Sequence, residues 1–282
     1  MPTIDLPNGT VNYRVAGPED SAAPPVVFVH GFLVDGTLWD GTAAALAAQG
    51  VRSYAPDWPL GSHPIALNQG ADQSPRGIAR HIVSFLDAME LDDVTLVGND
   101  TGGAICQFVI DTDASRIGRL VLTNCDAFEN FPPAPFDTLF KSFRRAGAIR
   151  ALMAPMRSTA ARHSMAGYGM LAPEFDAEQT RAWVEPALSD AGVRRDTAAF
   201  ARKADPGELL DVATRLGTFE GPVLLVWGNG DRFFKIDFAR RLRDVFADAR
   251  LVEIEDGLTF VPIEHPQRLA HEIQAFSPVT AA

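Results

Sequence analysis

The sequence predicts an α/β fold: a mostly parallel sheet, covered by helices on both faces and interrupted once by a helical insertion. Three observations carry that prediction. Short runs that are apolar on both faces, such as Leu120-Val121-Leu122, alternate with segments of helical period, as strands of a doubly covered sheet must. One such run, starting at Val94, breaks into the glycine-flanked turn Gly98-Asn99-Asp100-Thr101-Gly102-Gly103. Between about residues 128 and 215 the alternation stops, with no convincing strand, and afterwards it resumes, so the sheet must accommodate an inserted all-helical piece.

The elements follow in order. The first thirty residues read as a hairpin with Asn8-Gly9 as its turn, followed by a buried strand over 25–29, because Asn-Gly between alternating runs favours a tight hairpin turn. Helical patterns then cover 37–48, 75–90 and 102–112, with strands at 52–55, 94–98 and 119–123 between them. In the second helix Ile78, Ile82, Phe85, Leu86 and Met89 recur at helical spacing, which gives it one apolar face. After the insertion, strand 222–227, helix 236–247, strand 250–254 and helix 266–276 restore the pattern. The expected organisation is a core of 1–127 and 216–282 carrying a helical cap of 128–215.

Composition bounds the class. A chain of 282 residues is long enough for one large core with an insertion. The formal charge of −11 argues against nucleic acid as a partner, since phosphate contacts need a basic surface. Two cysteines, Cys106 and Cys125, make no disulfide framework, and no cluster has metal-ligand spacing. Neither a signal peptide nor an apolar run near the ~20 residues of a membrane span is evident. A cytoplasmic protein with a small-molecule substrate, no metal and no cofactor is expected; a homodimer is left open.

The cap has a distinctive composition. From Thr138 to Pro173 there is no Asp or Glu, while Lys141, Arg144, Arg145, Arg150, Arg157 and Arg162 are all present. Docking of this basic piece on an acidic body is one explanation; attraction of an anionic ligand is the other. Phe140, Met153, Met156, Tyr168 and Trp183 add apolar bulk, which suits a bulky, largely apolar or aromatic substrate.

Asp100 is the candidate reacting group. A glycine-aspartate-glycine string alone is most often an ordinary turn, but here it follows a buried strand and opens a helix, where glycines let the chain turn so sharply that the apical side chain stands free. Two further strands end in chemistry-bearing residues: Val26-Val27-Phe28-Val29-His30-Gly31-Phe32, and Val223-Leu224-Leu225-Val226-Trp227-Gly228-Asn229-Gly230-Asp231. Over nearly its whole length the chain resembles the α/β-hydrolase superfamily, and the aspartate at the elbow resembles its haloalkane dehalogenase and epoxide hydrolase branch.

That resemblance implies a mechanism in which the elbow aspartate attacks an sp³ carbon of an epoxide or alkyl halide and forms an ester. Water activated by a histidine then hydrolyses the ester, and an acid orients the histidine. Asp100 matches the nucleophile, the backbone N–H groups of Phe32 and Thr101 match the oxyanion hole, and Asp231 matches the orienting acid, although a turn aspartate is its plainer reading. Asn124 is a poorer candidate for the acid. The histidine position, aligned on Phe260, Glu264 and Pro266, is Thr259, whose hydroxyl cannot accept and return a proton near pH 7 as imidazole does.

His63 and His163 are the substitutes weighed, and His30 is expected to support its turn. Thr101 stands where dehalogenases of this type carry a halide-holding Trp, which disfavours halide chemistry. The cap offers only Tyr168 where epoxide hydrolases use two tyrosines. His30, Asn124, Phe128, Phe140, His163, Tyr168, Trp183 and Phe260 are expected to border the substrate. Three classes stay open: a hydrolase acting through Asp100 with an incomplete triad, an epoxide-like electrophile being favoured; a lyase, isomerase or cyclase using Asp100 as acid or base, its pKa raised by burial beside Asp231; and a catalytically silent binding protein.

Overall fold

The computed structural model describes residues 1–277. Strands β1 (Thr3–Leu6), β2 (Gly9–Ala16), β3 (Val26–Val29), β4 (Ser53–Pro56), β5 (Val94–Asp100), β6 (Ile117–Cys125), β7 (Val223–Gly228) and β8 (Ala249–Ile254) form one sheet in the order β1-β2-β4-β3-β5-β6-β7-β8. From β4 to β8 all neighbours are parallel, and β1 and β2 join antiparallel at one edge. The class expected from the alternation is the one observed. The central strands are buried on both faces, every residue of β3 and β7 included, which is why they read as unbroken apolar runs.

The hairpin turn differs from its expected position by one residue. Leu6 pairs with Gly9, so Pro7-Asn8 make the turn and Gly9 opens β2. Gly9 enters at φ 139° against Leu67, where a Cβ would lie 3.0 Å from Leu67 Cδ2. A close backbone approach, rather than the turn, uses this glycine.

Helices α1 (Asp40–Ala48), α2 (Pro75–Ala88) and α3 (Thr101–Thr112) connect the first half of the sheet. Ser74 caps α2 by accepting from Gly77 N at 3.0 Å, and Pro75 occupies its first turn, so the helix starts where cap and proline dictate. It packs on α3, which is buried from Thr101 to Val109 against β5 and β6.

Between β6 and β7 lie α4 (Phe136–Phe143), α5 (Ala146–Met153), α6 (Thr159–Arg162), α7 (Ala177–Ser189), α8 (Ala191–Lys203) and α9 (Pro206–Ala213). Helices α4, α5, α7 and α8 pack on one another, while α9 packs on α3 of the sheet layer. After β7 come α10 (Ile236–Val245), α11 (Val261–Glu264) and α12 (Pro266–Phe276). Among the described residues, no helix is long and apolar enough to cross a membrane.

The basic stretch does not carry the docking of this insertion. Lys203 pairs with Asp72 at 2.7 Å, Glu208 with Arg76 at 2.9 Å and Arg215 with Asp111 at 2.7 Å, all from outside 138–173. Arg144, Arg145, Arg150 and Arg157 are exposed and, among the described residues, form no ion pair. Arg162 is the exception in kind: it is buried and donates to the Met156, Arg157 and Ala177 carbonyls and to the Thr159 and Thr180 hydroxyls.

Candidate active site

The carboxyl ends of β3, β5, β6 and β7 and the loop after β8 meet on one side of the sheet, the crevice where ligands bind in open parallel sheets. Asp100 stands at the end of β5 with φ 55° and ψ −134°, a conformation costly for a residue with a Cβ and held by the tight strand-to-helix turn. Gly102 lies against the Val29 and His30 carbonyls, and Gly31 lies against the Asp100 carboxyl; a Cβ at either position would overlap those atoms. The elbow is therefore fixed from below and from the side.

Asp100 Oδ2 accepts a hydrogen bond from Phe32 N at 3.1 Å, and the adjoining Thr101 N–H lies near enough to favour the carboxylate. The two N–H groups expected to form an oxyanion hole thus converge on the aspartate itself. Burial pushes the carboxyl up to about 7 and the nearby Asp231 adds to the rise, while the Phe32 and Thr101 N–H groups oppose it.

Asp231 follows β7 and is enclosed by donors. Its Oδ1 accepts from Phe233 N at 2.7 Å and Phe234 N at 3.2 Å; its Oδ2 accepts from Asn124 Nδ2 and Thr259 Oγ1, both at 2.9 Å. Asn124 also receives Gly228 N at 2.7 Å, and Asn99 Nδ2 reaches the Thr259 carbonyl at 2.8 Å. Thr259 is fully buried and faces the acid where the resemblance implies an imidazole. With four donors, Asp231 has no lone pair left to orient a further group. Burial still holds its carboxyl above the usual range against the pull of those bonds.

Over Asp100 lies a cavity of about 160 Å³, close to the ~150 Å³ that accommodates a benzene-sized molecule. That is smaller than a bulky substrate needs. Phe32, Phe140, Met153, Met156, Leu171 and Phe234 are among its lining residues, and Asp100 is the one ionisable carboxylate in the wall. Phe140 stacks obliquely on Phe32 with centroids 4.4 Å apart. Tyr168 also lines the cavity, but its hydroxyl donates to the Leu33 carbonyl at 2.6 Å; burial raises its pKa, so it stays protonated.

The other residues expected at the substrate lie elsewhere. His30 is buried beneath its turn, accepting from Trp58 N at 2.8 Å through Nε2, and burial lowers its pKa to about 4. Asn124 serves Asp231, and Phe128 lies under the Arg241 guanidinium at 4.1 Å. His163 bonds the Thr180 hydroxyl at 2.9 Å, and Trp183 Nε1 donates to Thr37 Oγ1 at 2.8 Å. Phe260 is fully buried, with its N–H on the Leu171 carbonyl at 2.8 Å. His63 faces Asp196 at 3.4 Å. None of the six histidines lines the cavity.

Sequence reasoning named Phe140, Met153 and Met156 among the apolar bulk of the insertion, but it missed Leu139, Leu152 and Asp126. The apolar lining from α4 (Phe136, Leu139 and Phe140), from α5 (Leu152 and Met153) and from Met156 in the turn after it repeats at helical spacing, but that pattern also describes ordinary core. Asp126, just past β6, gave no motif at all, yet it is fully buried and accepts from Thr101 Oγ1 at 3.1 Å.

Residues 26–272 match the model of the Alpha/beta hydrolase family. Haloalkane dehalogenase 2 of Mycobacterium tuberculosis is 28% identical over 291 aligned positions, spanning 96% of this chain and 92% of that protein. A 2-hydroxy-6-oxononadienedioate/2-hydroxy-6-oxononatrienedioate hydrolase of Cupriavidus pinatubonensis is 26% identical over 251 positions, 85% of this chain and 82% of that protein. Among solved structures, the ancestral haloalkane dehalogenase AncHLD2 superposes with a TM-score of 0.77 at 19% identity, covering 98% of this chain and 99% of its own. The epoxide hydrolase CorEH gives 0.77 at 18% identity, with 97% and 96% covered. At these identities the structural likeness speaks for the fold alone.

Proposed function

Since the chain belongs to the alpha/beta hydrolase family, we propose that it is a hydrolase acting through Asp100 on a small, largely apolar electrophile of the epoxide type. The observation that supports this reading is the placement of one carboxylate, aligned by two backbone N–H groups, in an otherwise apolar wall. A desolvated carboxylate is a better nucleophile than a hydrated one, and the cavity holds the electrophile against it. The helical segment 128–215 serves as the cap that closes this cavity, because residues of that segment, Phe136, Phe140 and Met153 among them, supply most of its apolar wall.

In this reading an oxygen of Asp100 displaces the epoxide C–O bond and forms an ester, and water then cleaves the ester. Neither proton movement can follow the course implied by the resemblance. Tyr168 has its hydroxyl committed to Leu33, no second tyrosine lines the cavity, and Thr259 occupies the imidazole position. An alkyl halide is the less suited electrophile, since Thr101 offers no indole N–H to the departing halide.

A second reading is favoured by the saturation of Asp231 by four donors, beside which burial pushes the Asp100 carboxyl up to about 7. Those properties also suit non-covalent proton transfer by Asp100 in an elimination or isomerisation. Incubation with terminal epoxides from propylene oxide to styrene oxide, followed by intact-protein mass spectrometry, separates the two. An adduct that maps to Asp100 and is lost in Asp100→Asn supports the hydrolase; turnover without any adduct favours proton transfer.

A further inference from the structure

The unexplained polar group nearest the site is Asp126. It is fully buried, its Oδ2 receives Thr101 Oγ1 at 3.1 Å, and its Oδ1 has no hydrogen-bond partner. Its position is firmly set: Gln107 Nε2 donates to its carbonyl at 2.9 Å, and its own N–H points at the Asp100 carbonyl at 3.4 Å. Thr101, the residue after the nucleophile, both lines the cavity and bonds Asp126. Thr101 therefore lies between the cavity and a carboxyl behind the elbow, with its hydroxyl on that carboxyl.

The contrast with Asp231 is chemical. Four donors stabilise Asp231 as an anion, whereas a carboxylate at Asp126 would have one donor in a closed apolar setting, an expensive arrangement. Burial, reinforced by the charge of Asp100, pushes the Asp126 carboxyl well above the usual range. Above about pH 7, where Asp100 is ionised, Asp126 keeps its proton and Asp100 carries the charge, as close carboxyls titrate as a pair.

We propose that Thr101 and Asp126 form the proton relay of the Asp100 reaction, in place of the absent imidazole and tyrosine pair. This rests on Asp100 being the nucleophile. In the first half an Asp100 oxygen bonds to the epoxide carbon and the C–O bond breaks. The released alkoxide takes the Thr101 hydroxyl proton, and Thr101 is reprotonated by Asp126, which becomes a carboxylate. In the second half water adds to the Asp100 ester carbonyl. One water proton returns through Thr101 to Asp126, the other ends on the departing alcohol oxygen, and Asp100 is left as a carboxylate carrying a water oxygen. Epoxide and water become a diol, and both carboxyls regain their starting states. Thr101 is then the catalytic hydroxyl, and Asp126 is a positioning residue that acts through it.

The test is a single-turnover experiment on the full-length protein with 1,2-epoxybutane, following the Asp100 ester by intact mass across pH 5 to 9. Wild type should form and clear the ester. Asp126→Asn and Thr101→Val should each slow clearance by about 100-fold or more, the scale of lost acid–base catalysis, and flatten its pH dependence. Thr101→Ser should restore clearance to within about tenfold of wild type. Thermal melts of all variants identify any that do not fold, and the Thr101 pair carries the test if Asp126→Asn is one of them. Wild-type clearance with an unchanged pH profile in Asp126→Asn or Thr101→Val overturns the relay while leaving Asp100 in place. Epoxide turnover by the wild type with no Asp100 ester overturns the nucleophile reading and the relay with it.

Discussion

Asp100 combines three features that rarely coincide at one residue: a positive φ, a desolvated carboxyl and two converging N–H donors. Its titration is the most direct readout of that setting. The folded protein retains the Asp100 proton up to about 7, whereas an unfolded chain releases it near the ordinary value of 3.8. Between those values the folded state binds more protons, so this group makes stability fall as pH rises. Asp100→Asn should therefore gain stability over wild type above pH 7, on the order of a few kcal/mol, and gain nothing below pH 4; paired denaturant titrations at pH 4 and 8 check this. Activity should move the other way, with kcat/KM climbing about tenfold per pH unit below 7 and levelling off above it, if ionised Asp100 is the reacting form. Gly31 offers a purely steric test. Its missing Cβ makes room for the Asp100 Cβ, Cγ and Oδ2 atoms, so Gly31→Ala should cost about 100-fold in kcat/KM through misplacement of the carboxyl and lower the melting temperature too, because the overlap reaches the base of the side chain.

At the scale of elements, the elbow was legible because its constraints are local. A buried strand, three glycines and a helix start leave few conformations for the residue between them. The lock around Asp231 joins positions 124, 231 and 259 from three separate elements; the sequence named each of the three, but not that their hydrogen bonds would saturate one carboxyl. Phe140 and Tyr168 were named from the sequence and line the cavity, but the rest of the insertion's lining was not separable from its core, because α4 and α5 are apolar both where they meet other helices and where they meet the cavity. Asp126 was not legible either, because its enclosure is produced by residues far away in sequence. Arg162 shows what holds the insertion: a buried fork whose acceptors lie on α6, α7 and the turn before α6. Arg162→Met should destabilise the protein by about 3 kcal/mol or more by leaving those carbonyls unpaired. Arg162→Lys should recover little of it, since an ammonium cannot reproduce the five-donor geometry. Thermal denaturation of both variants decides the point.

Over the whole molecule, the doubly covered sheet follows from the alternation of apolar runs and amphipathic helices, and the chain's place in the alpha/beta hydrolase family agrees with the resemblance read from its elbow. Charge is distributed less simply. A net −11 chain carries Arg144, Arg145, Arg150 and Arg157, exposed and without an ion pair among the described residues, on the segment that contributes to the cavity wall. An epoxide bearing a carboxylate should therefore lose several-fold in kcat/KM between roughly 10 mM and 150 mM salt, while a neutral epoxide of the same size should not. Equal salt dependence for the two would assign these arginines no part in attraction. The account as a whole depends on Asp100 bonding to its substrate. The deciding measurement is one turnover of a small terminal epoxide in ¹⁸O-water, followed by mass mapping of the peptide that contains Asp100. One ¹⁸O atom in the Asp100 carboxyl is the predicted result; label in the diol alone, with Asp100 unlabelled, would contradict it.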